Sequence, residues 1–205
     1  MIKNIIFDMG QVLLKFDPDV FIERVGIDDP EDVKLIKRVV YKSVEWARMD
    51  RGSLSEEQAC EIMCGKLPER LHKAVRSLTA EWHRPMMPVE GMAELVKELK
   101  AAGYGIYLLS NAALGQKDYW HDIPGSEYFD GRVVSAEEGL VKPQPEIYRL
   151  ICERYGLVPS ECVFIDDAIQ NAEGAYFCGI NPIVFHMDVA ELRQELNNLG
   201  VKVSL

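Results

Sequence analysis

Five short runs rich in apolar, β-branched or aromatic residues punctuate this chain, at Lys3 to Asp8, Gly105 to Ser110, Arg132 to Ser135, Cys162 to Asp167 and Asn181 to Phe185. Runs of that length and composition predict strands. Helical periodicity fills the gaps between the later runs: Val89 to Ala102 places Met92, Leu95, Val96 and Leu99 on one face, and Glu146 to Tyr155 does the same with Ile147, Leu150 and Ile151. Asp188 is placed to cap a last helix through Leu192 and Leu196, with Gly200 as its stop. Alternation of strand and helix favours an α/β fold with a parallel sheet, because crossover helices carry the chain back to start each strand at the same end and cover both faces.

Between the first run and Val89 the alternation disappears. About seventy residues there read as helices with charged faces, at Pro18 to Val25, Glu31 to Met49, Ser55 to Met63 and Pro68 to His83. Asp50-Arg51-Gly52-Ser53 breaks two of them, Ser53 or Ser55 is available to cap the next, and Pro85 and Pro88 close the segment. The expected organisation is a core of residues 1–15 and 86–205 carrying a helical insert at 16–85.

Charge and cysteine usage narrow the partners. A formal net charge of −10 argues against nucleic acid, whose phosphates demand a basic surface. The odd set Cys60, Cys64, Cys152, Cys162 and Cys178 does not form the even framework of a secreted mini-domain, and no second Cys/His pair stands near Cys60 and Cys64 to complete a zinc site. Free, buried thiols are expected. The N-terminal apolar run is far too short for a signal peptide, and no stretch approaches a membrane span, so a cytoplasmic protein without a membrane partner is expected.

In an open parallel sheet, ligands bind at the carboxyl ends of the strands. Those ends carry Asp8, Ser110-Asn111 and Asp166-Asp167. Singly, each is ordinary: a cap, a turn, a solvated acid pair. In order, Asp8-Met9-Gly10-Gln11-Val12, Ser110-Asn111, Lys142-Pro143 and Phe164-Ile165-Asp166-Asp167 resemble the four motifs of the haloacid dehalogenase-like superfamily, over nearly the whole chain. The resemblance implies a Rossmann-like core with an inserted α-helical cap, and a hydrolase acting on small phosphorylated metabolites, as monomer or weak homodimer.

The chemistry explains the residue types. A carboxylate attacking phosphorus forms an aspartyl-phosphate and splits one difficult displacement into two; by the resemblance that nucleophile is Asp8. Carboxylates gathered around a phosphate need a cation between them, and Mg²⁺ prefers oxygen ligands. The resemblance implies Mg²⁺ ligation by Asp8, the Gly10 carbonyl and Asp167, with Asp166 acting directly or through water. It also implies that Ser110 and the amides around Asn111 hold the phosphoryl oxygens at the start of a following helix, and that Lys142 neutralises both phosphate and Asp8. Asn171 either hydrogen-bonds the metal shell or caps a turn.

One position departs from the pattern. Most phosphatases of the superfamily carry a second Asp two residues after the nucleophile, as general acid and base, where this chain has Gly10. General acid–base help is worth roughly 10²- to 10⁴-fold in rate. Three readings follow: a phosphatase for leaving groups needing less protonation, such as a hexose 1-phosphate, or one in which another group substitutes; a metal-independent 2-haloacid dehalogenase using Asp8; or a catalytically silent binding or scaffold domain. Asp-Met-Gly-Gln-Val is similar to the Asp-Leu-Gly-Asn-Val of α-glucose-1-phosphate phosphatases, and the pair Asp166-Asp167 argues for phosphoryl chemistry. A cap of this kind closes over the site and sets specificity. Candidate substrate contacts are Trp46, Arg48 and Arg51 near the helix break, and Trp120 and His121 on the core side, with hinges near Phe16-Asp17-Pro18 and Pro85 to Pro88.

Overall fold

A computed structural model describes residues 1–204. Five parallel strands, β1 (Asn4–Phe7), β2 (Gly105–Ser110), β3 (Gly131–Val134), β4 (Cys162–Asp166) and β5 (Asn181–Val184), form one sheet in the order β3-β2-β1-β4-β5. Every expected strand is present within one residue of its predicted bounds. The helices are α1 (Pro18–Arg24), α2 (Pro30–Ile36), α3 (Val44–Asp50), α4 (Glu56–Gly65), α5 (His72–Ala80), α6 (Met92–Ala101), α7 (Gln116–Tyr119), α8 (Ser135–Glu138), α9 (Pro145–Tyr155), α10 (Ile169–Phe177) and α11 (Val189–Asn198). None is long and apolar enough to cross a membrane.

Alternation along the strands sends side chains to two different cores. Ile5, Phe7, Leu108 and Ile165 face Leu95, Leu99, Leu192 and Leu196 of α6 and α11. Ile6, Leu109, Val133 and Phe164 face Ile147, Tyr148 and Ile151 of α9 and Ala175 of α10. The sheet is therefore covered on both faces, as its near-continuous apolar strands require. Phe7 pairs with Leu108 on one side and Ile165 on the other. Order reverses beside β1, so the crevice past its carboxyl end is the fold's natural ligand site.

Helices α1 to α5 leave the core after β1 and pack around their own apolar cluster, including Phe21, Ile22, Ile36, Met63, Leu71 and Leu78. The two connecting strands of chain run side by side, with Lys15 N–H donating to the Met87 carbonyl at 2.8 Å and Val89 N–H to that of Leu13 at 2.9 Å. The single helix expected from Glu31 to Met49 is broken. Residues Lys37–Tyr41 form a π-helical turn, and Ser43 leaves helical geometry to accept the Trp46 N–H on its hydroxyl at 3.1 Å, opening α3. A serine that can satisfy an amide locally competes with helix continuation, and the β-branched pair Val39-Val40 does not resist it. Ser55 rather than Ser53 caps α4, in a reciprocal box with Gln58. The last expected insert helix is also shorter, ending at Ala80 rather than His83. Cys60, Cys64, Cys152 and Cys162 are free and buried, and Cys178 is free and half-buried.

Candidate active site

Asp8 follows β1 directly, held by its backbone N–H donating to the Ile165 carbonyl at 2.9 Å. Asp166 closes β4 and Asp167 follows it, so adjacent parallel strands deliver three carboxylates to one spot. One oxygen from each of Asp8, Asp166 and Asp167 lies within 4.8 Å of the others. Lys142 reaches in ahead of α9, with its ammonium 2.8 Å from Asp8 Oδ1 and 2.6 Å from Asp166 Oδ2. The lysine, Asp8 and Asp166 are all buried.

Asp166 is fully engaged. Its Oδ1 accepts the Ala168 N–H at 2.8 Å, Asn171 Nδ2 lies 3.0 and 3.1 Å from its two oxygens, and Oδ2 takes the lysine. Asn171 thus settles on this carboxylate. Asp167, by contrast, is exposed into a pocket that Asp8 and Gly10 also line. Burial pushes the Asp8 carboxyl up to about 7, opposed by Lys142 and reinforced by Asp166. Burial also works against the Lys142 ammonium, yet Asp8 and Asp166 outweigh it and hold its pKa above the usual lysine range. Three carboxylates face one ammonium, a deficit of two positive charges that suits a divalent cation bound through oxygen.

Ser110 ends β2 with its hydroxyl buried and without a hydrogen-bond partner among the described residues. A buried hydroxyl left unpaired is costly unless a ligand completes it. Asn111 instead grips the lysine loop: its amide donates to the Lys142 carbonyl at 3.1 Å and accepts the Lys142 N–H at 2.9 Å. The helix expected to begin right after Ser110-Asn111 is absent. Residues 111–115 are irregular, and only the four-residue turn α7 follows, because the Asn111 side chain and the Ala112 N–H, which donates to Ser135 Oγ at 2.9 Å, tie this stretch to neighbouring loops.

Above this floor lies a pocket of about 220 Å³, walled by Phe16, Trp46, Met49, Asp50, Glu56 and Trp82 from the insert side and by Gln116 and Tyr119 from the core side. Residues 2–179 match the haloacid dehalogenase-like hydrolase family. The chain belongs to that family. It is 27% identical to the sesquiterpene phosphatase of Aspergillus oryzae, over 87% of this chain and 87% of that protein. A haloacid dehalogenase family enzyme of Bacteroides thetaiotaomicron, crystallised with magnesium and inorganic phosphate, superposes with a TM-score of 0.69 at 21% identity, covering 94% of this chain and 99% of that one. L-2-haloacid dehalogenase of Xanthobacter autotrophicus, with chloropropionic acid covalently bound, gives 0.69 at 20% identity, over 99% and 85% of the two chains. At these identities the solved structures share the fold, and the chemistry must be read from the residues.

For this haloacid dehalogenase-like hydrolase, Trp46 reaches the pocket but Arg51 does not. The Arg51 guanidinium lies 3.5 Å from the Gly139 carbonyl and from Gln144 Oε1, bridging insert to core, and Arg48 is exposed. Trp120 is buried against Phe129 and His121 is exposed elsewhere, so neither lines the pocket. Their places are taken by Tyr119, Trp82 and Phe16, which periodicity marks only as core. Asp50 was legible as a helix break and nothing more. The available signal was electrostatic: an acid in the last turn of a helix opposes the macrodipole and calls for another reason to be there.

Proposed function

We propose that this chain is a Mg²⁺-dependent phosphatase of small phosphorylated metabolites, working through an aspartyl-phosphate on Asp8. The observation that carries the reading is the floor of the pocket, where the Lys142 ammonium stands 2.8 Å from Asp8 and the Asp167 carboxylate opens onto the same space. Asp8, the Gly10 carbonyl and Asp167 would hold the cation, with Asp166 able to join through water. Bound Mg²⁺ would supply charge neutralisation to the phosphoryl oxygens and hold them for in-line attack. Asp166 and Asn171 fix the lysine, Lys142 stabilises charge on Asp8 and on the phosphoryl group, and Ser110 Oγ gains the acceptor it lacks.

The organic part of the substrate would occupy the aromatic chamber. Trp46, Trp82, Phe16 and Tyr119 suit a leaving group with an apolar face, such as a sugar ring, and a hexose 1-phosphate is the first candidate. Lys142 is buried behind Asp8, and no Lys, Arg or His lines the chamber above it among the described residues, which disfavours a second phosphate on the substrate. Residues 16–85 would act as a cap hinged near Phe16-Asp17-Pro18 and Pro85 to Pro88, in a cytoplasmic monomer or weak homodimer.

Phosphate release from an aryl phosphate, measured with and without Mg²⁺, tests the reading. Turnover is expected only with the metal, Asp8→Asn should abolish it while the fold persists, and beryllium fluoride with Mg²⁺ should bind at Asp8. Gly10 also fits the dehalogenase alternative, since attack on carbon with halide departure needs no proton donor. Metal-independent halide release from 2-chloropropionate would replace the phosphatase assignment.

A further inference from the structure

When Asp8 displaces an alkoxide from phosphorus, the departing oxygen needs a proton, and when water later attacks the aspartyl-phosphate, that water must lose one. Five titratable groups line the pocket: Asp8, Asp50, Glu56, Tyr119 and Asp167. Asp8 is the attacking group and Asp167 belongs to the cation cluster. The Tyr119 phenol is driven far above its ordinary range by burial, then by Glu56 and Asp50, and cannot cycle. Glu56 Oε1 accepts the Gly115 N–H at 3.3 Å and feels Asp118 rather than the floor.

Asp50 is left, and its placement is deliberate in physical terms. It ends α3 on the insert side of the pocket that Gly10 also lines. Its backbone is pinned to the core, since Ser135 Oγ donates to the Asp50 carbonyl and Gly52, two residues on, packs directly against the Ala136 backbone. Arg51 adds its contacts with Gly139 and Gln144. The carboxyl itself has no such ties: burial and Asp8, opposed by Lys142, push it up to about 8, and no hydrogen bond pulls it back.

We infer that Asp50 is the catalytic proton donor to the leaving oxygen and then the base toward the attacking water. The inference rests on the phosphatase reading above. In the first half-reaction Asp8 forms a bond to phosphorus, the bond to the leaving oxygen breaks, and that oxygen takes its electron pair and the Asp50 proton. In the second, water forms the new bond to phosphorus and gives its proton to the Asp50 carboxylate, while the bond to Asp8 breaks. Inorganic phosphate leaves, and both acids return to their starting states.

Leaving-group dependence tests this. Wild type, Asp50→Asn and Asp50→Asn with Gly10→Asp are compared on an alkyl phosphate, whose leaving group needs a proton, and on 2,4-dinitrophenyl phosphate, whose leaving group does not. Asp50→Asn is expected to lose roughly 100-fold or more in kcat/KM, which reports only the steps up to the aspartyl-phosphate, on the alkyl ester and less than tenfold in kcat/KM on the aryl ester. A Cβ at residue 10 meets nothing within 4 Å, so the Gly10→Asp substitution has room to restore the alkyl activity at least tenfold. Equal losses in kcat/KM on both esters, unrestored by Gly10→Asp, would mean a merely structural Asp50 and overturn the inference; so would no loss on either. In those cases Asp8-dependent turnover by the wild type keeps the phosphatase reading intact. Wild-type protein that releases phosphate from neither ester sinks both.

Discussion

The charges at the floor are stable only as a set. Lys142 is buried between Asp8 and Asp166, and removing one partner from such a group leaves the others uncompensated in low dielectric. Lys142→Met should therefore cost about 3 to 5 kcal/mol in urea unfolding at pH 7. Adding Asp166→Asn should recover part of it, because a neutral amide no longer needs the ammonium. A double variant as unstable as the sum of the singles would show that the groups are not coupled. Asp50 makes the opposite case. Its folded pKa, up at about 8, lies above the ordinary carboxylate value, so the fold favours the protonated form, and stability is lost as pH rises from about 4 through 8. Asp50→Asn is thus expected to raise the unfolding temperature at pH 8 and leave it unchanged at pH 4. Equal temperatures at pH 8 would mean that the carboxyl carries no such strain.

Among the elements, α3 matters most for its size. Seven residues cannot sustain a helix by propensity alone, yet this one carries both Trp46 and Asp50 to the pocket. Its start depends on Ser43, which accepts the Trp46 N–H and donates to the Val40 carbonyl at 2.7 Å. Ser43→Ala should cost about 1 kcal/mol, or a fall of about 2 to 4 °C in Tm for a chain of this length. Hydrogen exchange at the Trp46 amide should accelerate more than at α4, whose Ser55–Gln58 box is independent. Uniform acceleration across both helices would argue that the two fray as one unit.

At the scale of the whole molecule, the pocket lies where insert and core meet, and one of their contacts is a close backbone approach. Gly52 has φ of +75°, and a Cβ there would come 2.2 Å from the Ala136 carbonyl oxygen. Backbone cannot yield as a side chain would, so Gly52→Ala must push the α3–α4 turn away from the core. The left-handed conformation adds about 1 kcal/mol of strain for alanine. Because the two apolar clusters fold around different residues, most stability should survive while Asp50 and Trp46 are displaced from the floor. A drop in kcat/KM of tenfold or more on an aryl phosphate, with only a few degrees lost in Tm, is the expected result. Unchanged kinetics would show that this approach is not needed for turnover.

The strands, the covering helices α6, α9 and α11 and the three acids of the floor were legible in the sequence, because each is encoded locally: in alternation, in periodicity, and in which residue ends a strand. Asp8, Asp166 and Asp167 follow from the ends of parallel strands having one place to converge, whereas Lys142, which ends no strand, followed only from the resemblance of Lys142-Pro143 to the family's third motif. The upper half of the pocket was not legible. Trp82, Tyr119 and Phe16 look like core, Arg51 looks like an anion contact but spans two loops, and Asp50 looks like a helix end. Which of these faces the floor depends on how the insert docks, on Ser43 interrupting one helix and on Gly52 permitting close approach. Those are contacts between residues far apart in the chain, and no local pattern carries them.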